Sequence, residues 1–180
     1  MMSESEILEK AKSIKLVIFD VDGVLTDGSL FFGDDGQEYK AFNSQDGHGM
    51  KMLQESGVRV AIITGRTSEV VKHRMDNLKI DLVYQGQLDK LPAYRQILDD
   101  LQLQSHEVAY VGDDVVDLPV MIRVGLAITV ANAHELARQH AHWVTPRSGG
   151  NGAARDVCEL IMKAQGAYEP RMAGYLSLDD

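Results

Sequence analysis

The sequence is poor in cysteine, and Cys158 is the single one among its 180 residues. One cysteine excludes a disulfide framework within the chain and any zinc or redox site built on a Cys-x-x-Cys pair. Because disulfides are rare where thiols are kept reduced, this usage fits a reducing compartment, and we expect a cytoplasmic protein.

Long apolar runs are also lacking. No segment approaches the roughly 18 apolar residues that a membrane span requires, and residues 1–13 are too charged for an export signal. The four prolines are scattered, without a Pro-rich or Gly/Ser-rich linker or a repeat of fixed length. We therefore expect a soluble protein with one domain over residues 1–166 and a separate C-terminal tail over residues 167–180.

Basic residues are scarce relative to acidic ones, with 18 against 27 and a formal net charge of -9. This excess repels polyanions and argues against broad binding to nucleic acids or anionic membranes. The sequence contains neither G-x-G-x-x-G nor G-x-x-x-x-G-K-[ST], so dinucleotide and P-loop nucleotide binding have no support. An anionic ligand would need a site where the local charge is reversed.

Five short apolar runs alternate with segments of helical periodicity. The runs are rich in β-branched or aromatic residues, as is typical of strands buried on both faces of a parallel sheet. The predicted strands are Lys15–Asp20, Val58–Ile63, Asp81–Tyr84, Val108–Val111 and Gly125–Val130. The predicted helices cover residues 47–56, 67–77, 89–102, 115–122, 133–140 and 152–165. This alternation predicts an α/β fold with a doubly wound parallel sheet.

Residues 29–42 break this alternation. Two β-rich arms flank Asp35-Gly36, which is a hairpin signal. The arms carry a heavy apolar load, namely Leu30, Phe31, Phe32, Tyr39 and Phe42. We expect a β-hairpin that projects from the domain and covers another surface, with an ordinary edge hairpin as the alternative.

Acidic residues gather after the first and fourth predicted strands, at the edge where a doubly wound sheet binds its ligand. Asp20 and Asp22 follow the first strand, and Asp113, Asp114 and Asp117 follow the fourth. Carboxylates this close disfavour joint ionisation unless a cation lies between them, and oxygen ligands suit Mg²⁺. Turn formation and helix capping are the alternatives, but five acids exceed any capping need.

Thr64, Gly65 and Lys90 supply groups that an anion requires. Thr64 and Gly65 end the second predicted strand just before a helix, where a hydroxyl and free backbone N–H groups face the same edge. Lys90 lies at the start of a helix, where the helix dipole disfavours a cation. That placement favours a role for Lys90 as the partner of a phosphate.

In this order, the motifs resemble those of the haloacid dehalogenase superfamily of phosphotransferases: Asp20-x-Asp22-Gly-x-x-Thr-Asp, Thr64-Gly65, Lys90 and Gly112-Asp113-Asp114-x-x-Asp117. The resemblance implies that Asp20 attacks phosphorus to form an aspartyl phosphate, while Asp22 protonates the leaving alcohol and then activates water. It also implies Mg²⁺ held by Asp20, the backbone carbonyl of Asp22, and Asp113. Thr64, Gly65 and Lys90 would bind the phosphate, with Asp114 and Asp117 in supporting positions.

Only about forty residues separate Asp22 from Thr64, and the hairpin and one helix occupy them. No separate cap domain fits, so an open site would need another cover. Further stretches resemble a lidless branch of the superfamily, the tetrameric 3-deoxy-D-manno-octulosonate 8-phosphate phosphatases of lipopolysaccharide precursor synthesis. These stretches are Phe42-Asn43-x-x-Asp46-Gly47-x-Gly49, Ile63–Arg66, Tyr84–Gln87, Asp117-x-Pro119-Val120-Met121 and Ser148-Gly-Gly-x-Gly152-Ala-x-Arg155.

This narrower resemblance implies a homotetramer joined through the hairpins. It also implies that the Gly-rich segment 148–152 and its flanking Arg155 can reach an adjacent active site, with a helix-opening loop as the alternative. The expected ligand is a small sugar acid phosphate, and we expect Arg66, Arg74 and Arg155 to contact it.

Three positions bear on the exact substrate. The pattern of the phosphatases of 2-keto-3-deoxynononate 9-phosphate has Glu where this chain has Arg66, and Lys where it has Asn77. The resemblance therefore favours the octulosonate as the substrate. Gln45 departs from the octulosonate pattern, which often has Arg at that position. A phospho-acceptor signalling module is a hypothesis of another class, but Thr64-Gly65 ends its strand without an acceptor Asp.

Overall fold

A computed structural model describes residues 2–177 and shows eight helices and eight strands in this part of the chain. The order is α1 (Glu4–Lys12), β1 (Leu16–Phe19), β2 (Phe31–Phe32), β3 (Glu38–Tyr39), α2 (Ser44–Glu55), β4 (Arg59–Ile63), α3 (Glu69–Leu78), β5 (Leu82–Tyr84), α4 (Leu91–Leu101), β6 (Val108–Gly112), α5 (Leu118–Met121), β7 (Leu126–Thr129), α6 (Glu135–His140), β8 (Trp143–Val144), α7 (Ala153–Ala164) and α8 (Tyr168–Leu176). Short 3₁₀ turns precede β6 and α5.

Six strands form one parallel sheet in the order β5-β4-β1-β6-β7-β8. The chain winds from β1 outward through β4 and β5, and then returns to β6 beside β1. The winding direction therefore changes between β1 and β6, which opens a crevice beyond their carboxyl ends. This confirms the predicted doubly wound parallel sheet.

Both faces of the sheet are covered by helices. Val17 and Phe19 of β1 pack on the side of α1, α2, α3 and α7, whereas Leu16 and Ile18 pack on the side of α4, α5 and α6. Side chains alternate between the faces of a strand, so a fully apolar strand contributes to two cores. This double burial explains the continuous apolar runs in the sequence.

The predicted hairpin forms, with β2 and β3 as a separate two-stranded antiparallel sheet. Phe31, Phe32 and Tyr39 are each more than half exposed in the single chain. No second domain lies between the first strand and α3 within the described residues, in agreement with the absence of a cap domain.

The strand β8 and the helix α8 were not among the predicted elements. β8 has only two residues, too few to produce a recognisable apolar run, and pairs with β7 at the edge of the sheet. Residues 168–176 of the predicted tail form α8, in which the guanidinium of Arg171 pairs with Glu55 and the hydroxyl of Tyr175 lies 3.0 Å from Nε2 of His48. No helix in the described part of the chain is long and apolar enough to cross a membrane.

Candidate active site

A cleft of about 200 Å³ lies at the carboxyl ends of β1, β4 and β6. Most of the residues predicted for the site line it, together with Val116: Asp20, Asp22, Thr64, Gly65, Arg66, Lys90, Asp113 and Asp114. A larger groove of about 600 Å³ at the opposite edge of the sheet contains none of these residues. The fold thus brings residues from distant parts of the sequence to one edge, as the parallel arrangement predicted.

Lys90 lies at the base of this cleft, with only 1% of its side chain exposed. Its Nζ is 3.0 Å from Oδ2 of Asp20 and 2.6 Å from Oδ1 of Asp117. Burial lowers the pKa of Lys90, but these two carboxylates outweigh it and raise the pKa above its usual value. Lys90 is therefore a charged lysine, and its position at the start of α4 is stabilised by the carboxylates rather than by the helix.

Asp117 is fully buried beneath the cleft. Its Oδ1 accepts hydrogen bonds from Lys90 and from the hydroxyl of Tyr110, each at 2.6 Å. Its Oδ2 accepts the backbone N–H groups of Asp113 and Asp114 at 2.9 and 3.1 Å. Both oxygens of Asp117 are thus bound by donors, which hold Lys90 and the Asp113 loop against it, and its supporting role stays a prediction.

Tyr110 is a site residue that the sequence analysis missed, because its ring is part of a buried strand and looks like core filler. Burial and the nearby charges of Asp117 and Asp20 raise the pKa of Tyr110 well above its usual range. The hydroxyl therefore remains protonated and donates to Asp117. A tyrosine inside an otherwise apolar strand, two residues before the predicted acid motif, is the signal that could have identified it.

Asp20 and Asp113 face each other across the ends of β1 and β6. Burial raises the pKa of Asp20 to about 6, and the charge of Asp117 adds to that effect. Burial, followed by the charge of Asp20, raises the pKa of Asp113 to about 7. The charge of Lys90 alone does not balance the three acids Asp20, Asp113 and Asp117. The cleft therefore has too little positive charge to favour ionisation of both Asp20 and Asp113.

These acids fit a divalent cation. One oxygen each from Asp20, Asp113 and Asp117 lies within 4.8 Å of the others. Oδ1 of Asp113 is buried and has no hydrogen-bond partner among the described residues. Buried oxygens without donors are expected where a cation binds, and an all-oxygen donor set suits Mg²⁺. Asp20 and Asp113 are the better ligands, because Asp117 is already saturated by donors.

Asp22 lies at the mouth of the cleft and contacts the hairpin. Its Oδ1 is 2.5 Å from Nζ of Lys40, and its Oδ2 is 3.7 Å from Nε of Arg66. Oε1 of Glu38 is 3.3 Å from Nζ of Lys40 and 3.1 Å from Nη2 of Arg66. Burial raises the pKa of Glu38, but hydrogen bonds from Ser68, Arg66 and Lys40 outweigh it and lower the pKa below its usual value.

The sequence analysis did not select Glu38 and Lys40. Glu38 lies in β3 and Lys40 directly after it, and both reach the mouth of the cleft at Asp22 and Arg66. Their spacing of two residues, which places both side chains on one side of a strand, was the available signal. Arg66 also lies 5.7 Å from the centre of the Phe32 ring. The hairpin therefore contributes both charge and an aromatic surface to the site.

Arg74 and Arg155 do not line the cleft of their own chain. The guanidinium of Arg74 lies 5.7 Å from the ring centre of Phe42 and donates to the carbonyl of Asn43 at 3.4 Å. Nε of Arg155 donates to Oε1 of Glu159 at 2.6 Å. Both arginines lie on the α2 side of the molecule, and their contact with substrate stays a prediction.

The Gly-rich segment 148–152 packs beneath the loop that carries Asp22. Gly150 donates its N–H to the carbonyl of Val24 at 2.9 Å, and a Cβ atom on Gly149 would overlap the carbonyl oxygen of Gly23. Gly152, with φ +104°, is the N-cap residue of α7. In the described chain the segment is thus a helix-opening loop, the alternative considered above.

The fold and this cleft define a haloacid dehalogenase-like hydrolase, and the family model of that description matches residues 82–156. The chain is 49% identical over 164 residues to the 3-deoxy-D-manno-octulosonate 8-phosphate phosphatase KdsC of Yersinia pestis, covering 91% of this chain and 88% of the relative. The protein therefore belongs to the 3-deoxy-D-manno-octulosonate 8-phosphate phosphatase family, and it is a phosphatase.

Two solved structures are similar over nearly the whole chain. A probable phosphatase of the YrbI family from Pseudomonas syringae superposes with a TM-score of 0.96 at 50% identity, covering 97% of this chain and 99% of the other. The phosphatase of Moraxella catarrhalis, solved in complex with magnesium, phosphate and KDO, has a TM-score of 0.93 at 44% identity over 95% and 98% of the two chains. The fold is therefore that of this family throughout.

Proposed function

We propose that the protein hydrolyses 3-deoxy-D-manno-octulosonate 8-phosphate to 3-deoxy-D-manno-octulosonate and phosphate, in lipopolysaccharide precursor synthesis in the cytoplasm. The observation that carries this proposal is the convergence of Asp20, Asp22, Lys90 and Asp113 in one cleft. Membership of the family supports the substrate, because the similar phosphatases of Yersinia pestis and Moraxella catarrhalis are named for it.

In the proposed reaction, a carboxylate oxygen of Asp20 attacks phosphorus, and the bond from phosphorus to the sugar oxygen breaks. Asp22 gives a proton to the departing oxygen, so that the sugar leaves as a neutral alcohol. Asp22 then takes a proton from water, which attacks the aspartyl phosphate and releases phosphate with Asp20 restored. Two displacements replace one difficult hydrolysis.

Other residues of the cleft hold the phosphoryl group. Lys90 places a buried positive charge 3.0 Å from Asp20, where it offsets charge on the phosphoryl oxygens. Thr64 and Gly65 lie at the end of β4 in the same cleft, and we assign their polar groups to orienting the phosphate. When bound, Mg²⁺ would add positive charge at these oxygens, held by Asp20, Asp113 and the backbone carbonyl of Asp22.

Arg66 is the best candidate for contact with the sugar carboxylate, because its half-exposed guanidinium lines the cleft. Arg74 and Arg155 lie outside that cleft, so they would act from a neighbouring subunit or after a rearrangement. The proposed homotetramer, joined through the exposed apolar residues of the hairpin, provides such a neighbour. Gln45 stands where the octulosonate pattern often has Arg, but another arginine lies beside it, since Nη1 of Arg147 donates to Oε1 of Gln45 at 3.2 Å.

A comparison of substrates tests the proposal. Phosphate release is measured with octulosonate 8-phosphate, 2-keto-3-deoxynononate 9-phosphate and a hexose 6-phosphate, with Mg²⁺ and with EDTA. We expect the highest kcat/KM for the octulosonate, loss of activity in EDTA, and no turnover by Asp20→Asn. Equal efficiency on all three compounds would contradict the assigned substrate, and stable stoichiometric phosphorylation would indicate a signalling module instead.

A further inference from the structure

Lys40 is a buried lysine that the reaction described above does not use. Only 1% of its side chain is exposed, although it lies in a hairpin whose residues Phe31, Phe32 and Tyr39 are exposed. Among the described residues, its ammonium group pairs with Asp22 at 2.5 Å and with Glu38 at 3.3 Å. A buried ammonium group is costly unless it is paired, so this position requires its two carboxylates.

The two oxygens of Asp22 differ as a result. Oδ1 is bound to Lys40, whereas Oδ2 accepts no hydrogen bond among the described residues and has Arg66 at 3.7 Å. That distance is too long for a hydrogen bond. One oxygen of the carboxylate is therefore held, and the other is free for a reacting group.

Glu38 holds the other side of Lys40. A single oxygen of Glu38 lies within 3.3 Å of Lys40 and 3.1 Å of Arg66, and only 14% of the Glu38 side chain is exposed. Two carboxylates and two cations thus form a cluster of zero net charge between the hairpin and the cleft. This cluster fixes the end of the hairpin relative to Asp22.

We propose that Lys40 is a positioning residue, which holds Oδ1 of Asp22 so that Oδ2 exchanges protons with the sugar oxygen and with water. The inference rests on the role assigned to Asp22 in the proposed function. Asp22 lies in the loop after β1, where an unrestrained carboxylate can rotate. A displacement of about 1 Å at a catalytic group costs on the order of 100-fold in rate.

The test uses p-nitrophenyl phosphate, because its leaving group departs without a proton. Attack by Asp20 on this compound does not need Asp22, whereas hydrolysis of the aspartyl phosphate does. We compare Lys40→Met with wild type and with Asp22→Asn by rapid mixing in Mg²⁺. Lys72→Met is the matched control, since Lys72 is exposed on α3.

We expect Lys40→Met to release a burst approaching one p-nitrophenolate per subunit, followed by steady-state turnover reduced about 10- to 100-fold. Asp22→Asn should show the same burst and a larger loss, about 100- to 10,000-fold. Glu38→Gln, which retains the lysine, should show a smaller loss with the same burst. Lys72→Met should match wild type. Should Lys40→Met fail to fold, Glu38→Gln and Asp22→Asn decide the question.

Unchanged turnover in Lys40→Met, or loss of turnover without a burst, would overturn the inference. The second result would mean that both chemical steps are damaged, as expected for a purely structural lysine. Failure of the proposed function has a different signature. Wild type would then be inactive on octulosonate 8-phosphate, while the p-nitrophenyl phosphate comparison still decides the role of Lys40.

Discussion

Gly23 lies directly against the carboxylate of Asp113, so that a Cβ atom on Gly23 would overlap both carboxylate oxygens. The loop after β1 can approach the loop after β6 this closely only because residue 23 has no side chain. Gly23 also has φ +93°, a conformation that other residues rarely adopt. The glycine of the first acid motif therefore lets the Asp113 carboxylate lie in the cleft.

Gly23→Ala should displace Asp113 and weaken Mg²⁺ binding. Gly36→Ala is a matched control, because Gly36 has φ +81° and no atom within 4 Å of its Cβ position. Both variants carry backbone strain of about 1–2 kcal/mol, but only Gly23→Ala disturbs the cleft. Calorimetric titration with Mg²⁺ should show a loss of affinity for Gly23→Ala alone, and equal affinities in both variants would contradict this assignment.

Asp117→Asn should destabilise the protein and lower its activity. An amide offers one acceptor oxygen, whereas Asp117 accepts from Lys90, Tyr110 and two backbone N–H groups. Breaking a buried ion pair costs about 3–5 kcal/mol. Tyr110→Phe, which removes one of these donors, should cost about 1 kcal/mol. Urea unfolding of both variants checks this order, and a larger loss in Tyr110→Phe would refute it.

Without metal, the folded protein should become less stable as the pH rises from about 4 to 7. The carboxyl groups of Asp20 and Asp113 have pKa values of about 6 and 7 in the folded protein, against an ordinary value of 3.8. In this range the unfolded chain binds fewer protons than the folded protein, so the free energy of unfolding decreases.

Thermal unfolding in EDTA across this pH range measures the effect. Asp113→Asn should flatten the dependence relative to wild type, because the variant lacks one of the two carboxyl groups. Addition of Mg²⁺ should stabilise wild type more at pH 7 than at pH 5, since the bound cation requires ionised ligands. Parallel curves for wild type and Asp113→Asn would rule out this origin of the pH dependence.

The hairpin should mediate self-association. Phe31 is 54% exposed and Leu30 is 47% exposed in the single chain, and burial between subunits would remove this apolar surface from water. We expect the double substitution of Leu30 and Phe31 by Ser to convert a tetramer to smaller species in light scattering after size exclusion. Ile122→Ser, at a residue 60% exposed elsewhere, should leave the assembly unchanged. A wild-type monomer with full activity would remove the need for a neighbouring cover.

The central part of the fold and the core of the site could be predicted because both depend on patterns among residues that are neighbours in the sequence. Continuous apolar runs identify strands buried on two faces, and parallel strands place their carboxyl ends at one edge. Asp20 and Asp113 therefore had to meet, although 93 positions separate their residue numbers. The misplaced charge of Lys90 was likewise visible, because a helix start disfavours a cation in any fold.

Other features depend on packing between segments that the sequence pattern does not relate. The direction in which the hairpin returns decides that Lys40 meets Asp22, and no periodicity encodes that direction. The placement of Arg74 and Arg155 outside the cleft follows from how α3 and α7 pack against α2. Sequence by itself therefore determined the parallel sheet and the acids at its edge. Only the tertiary structure decided which oxygen of Asp22 is held and which glycines bring the loops together, because these depend on distances of a few ångströms between remote backbones.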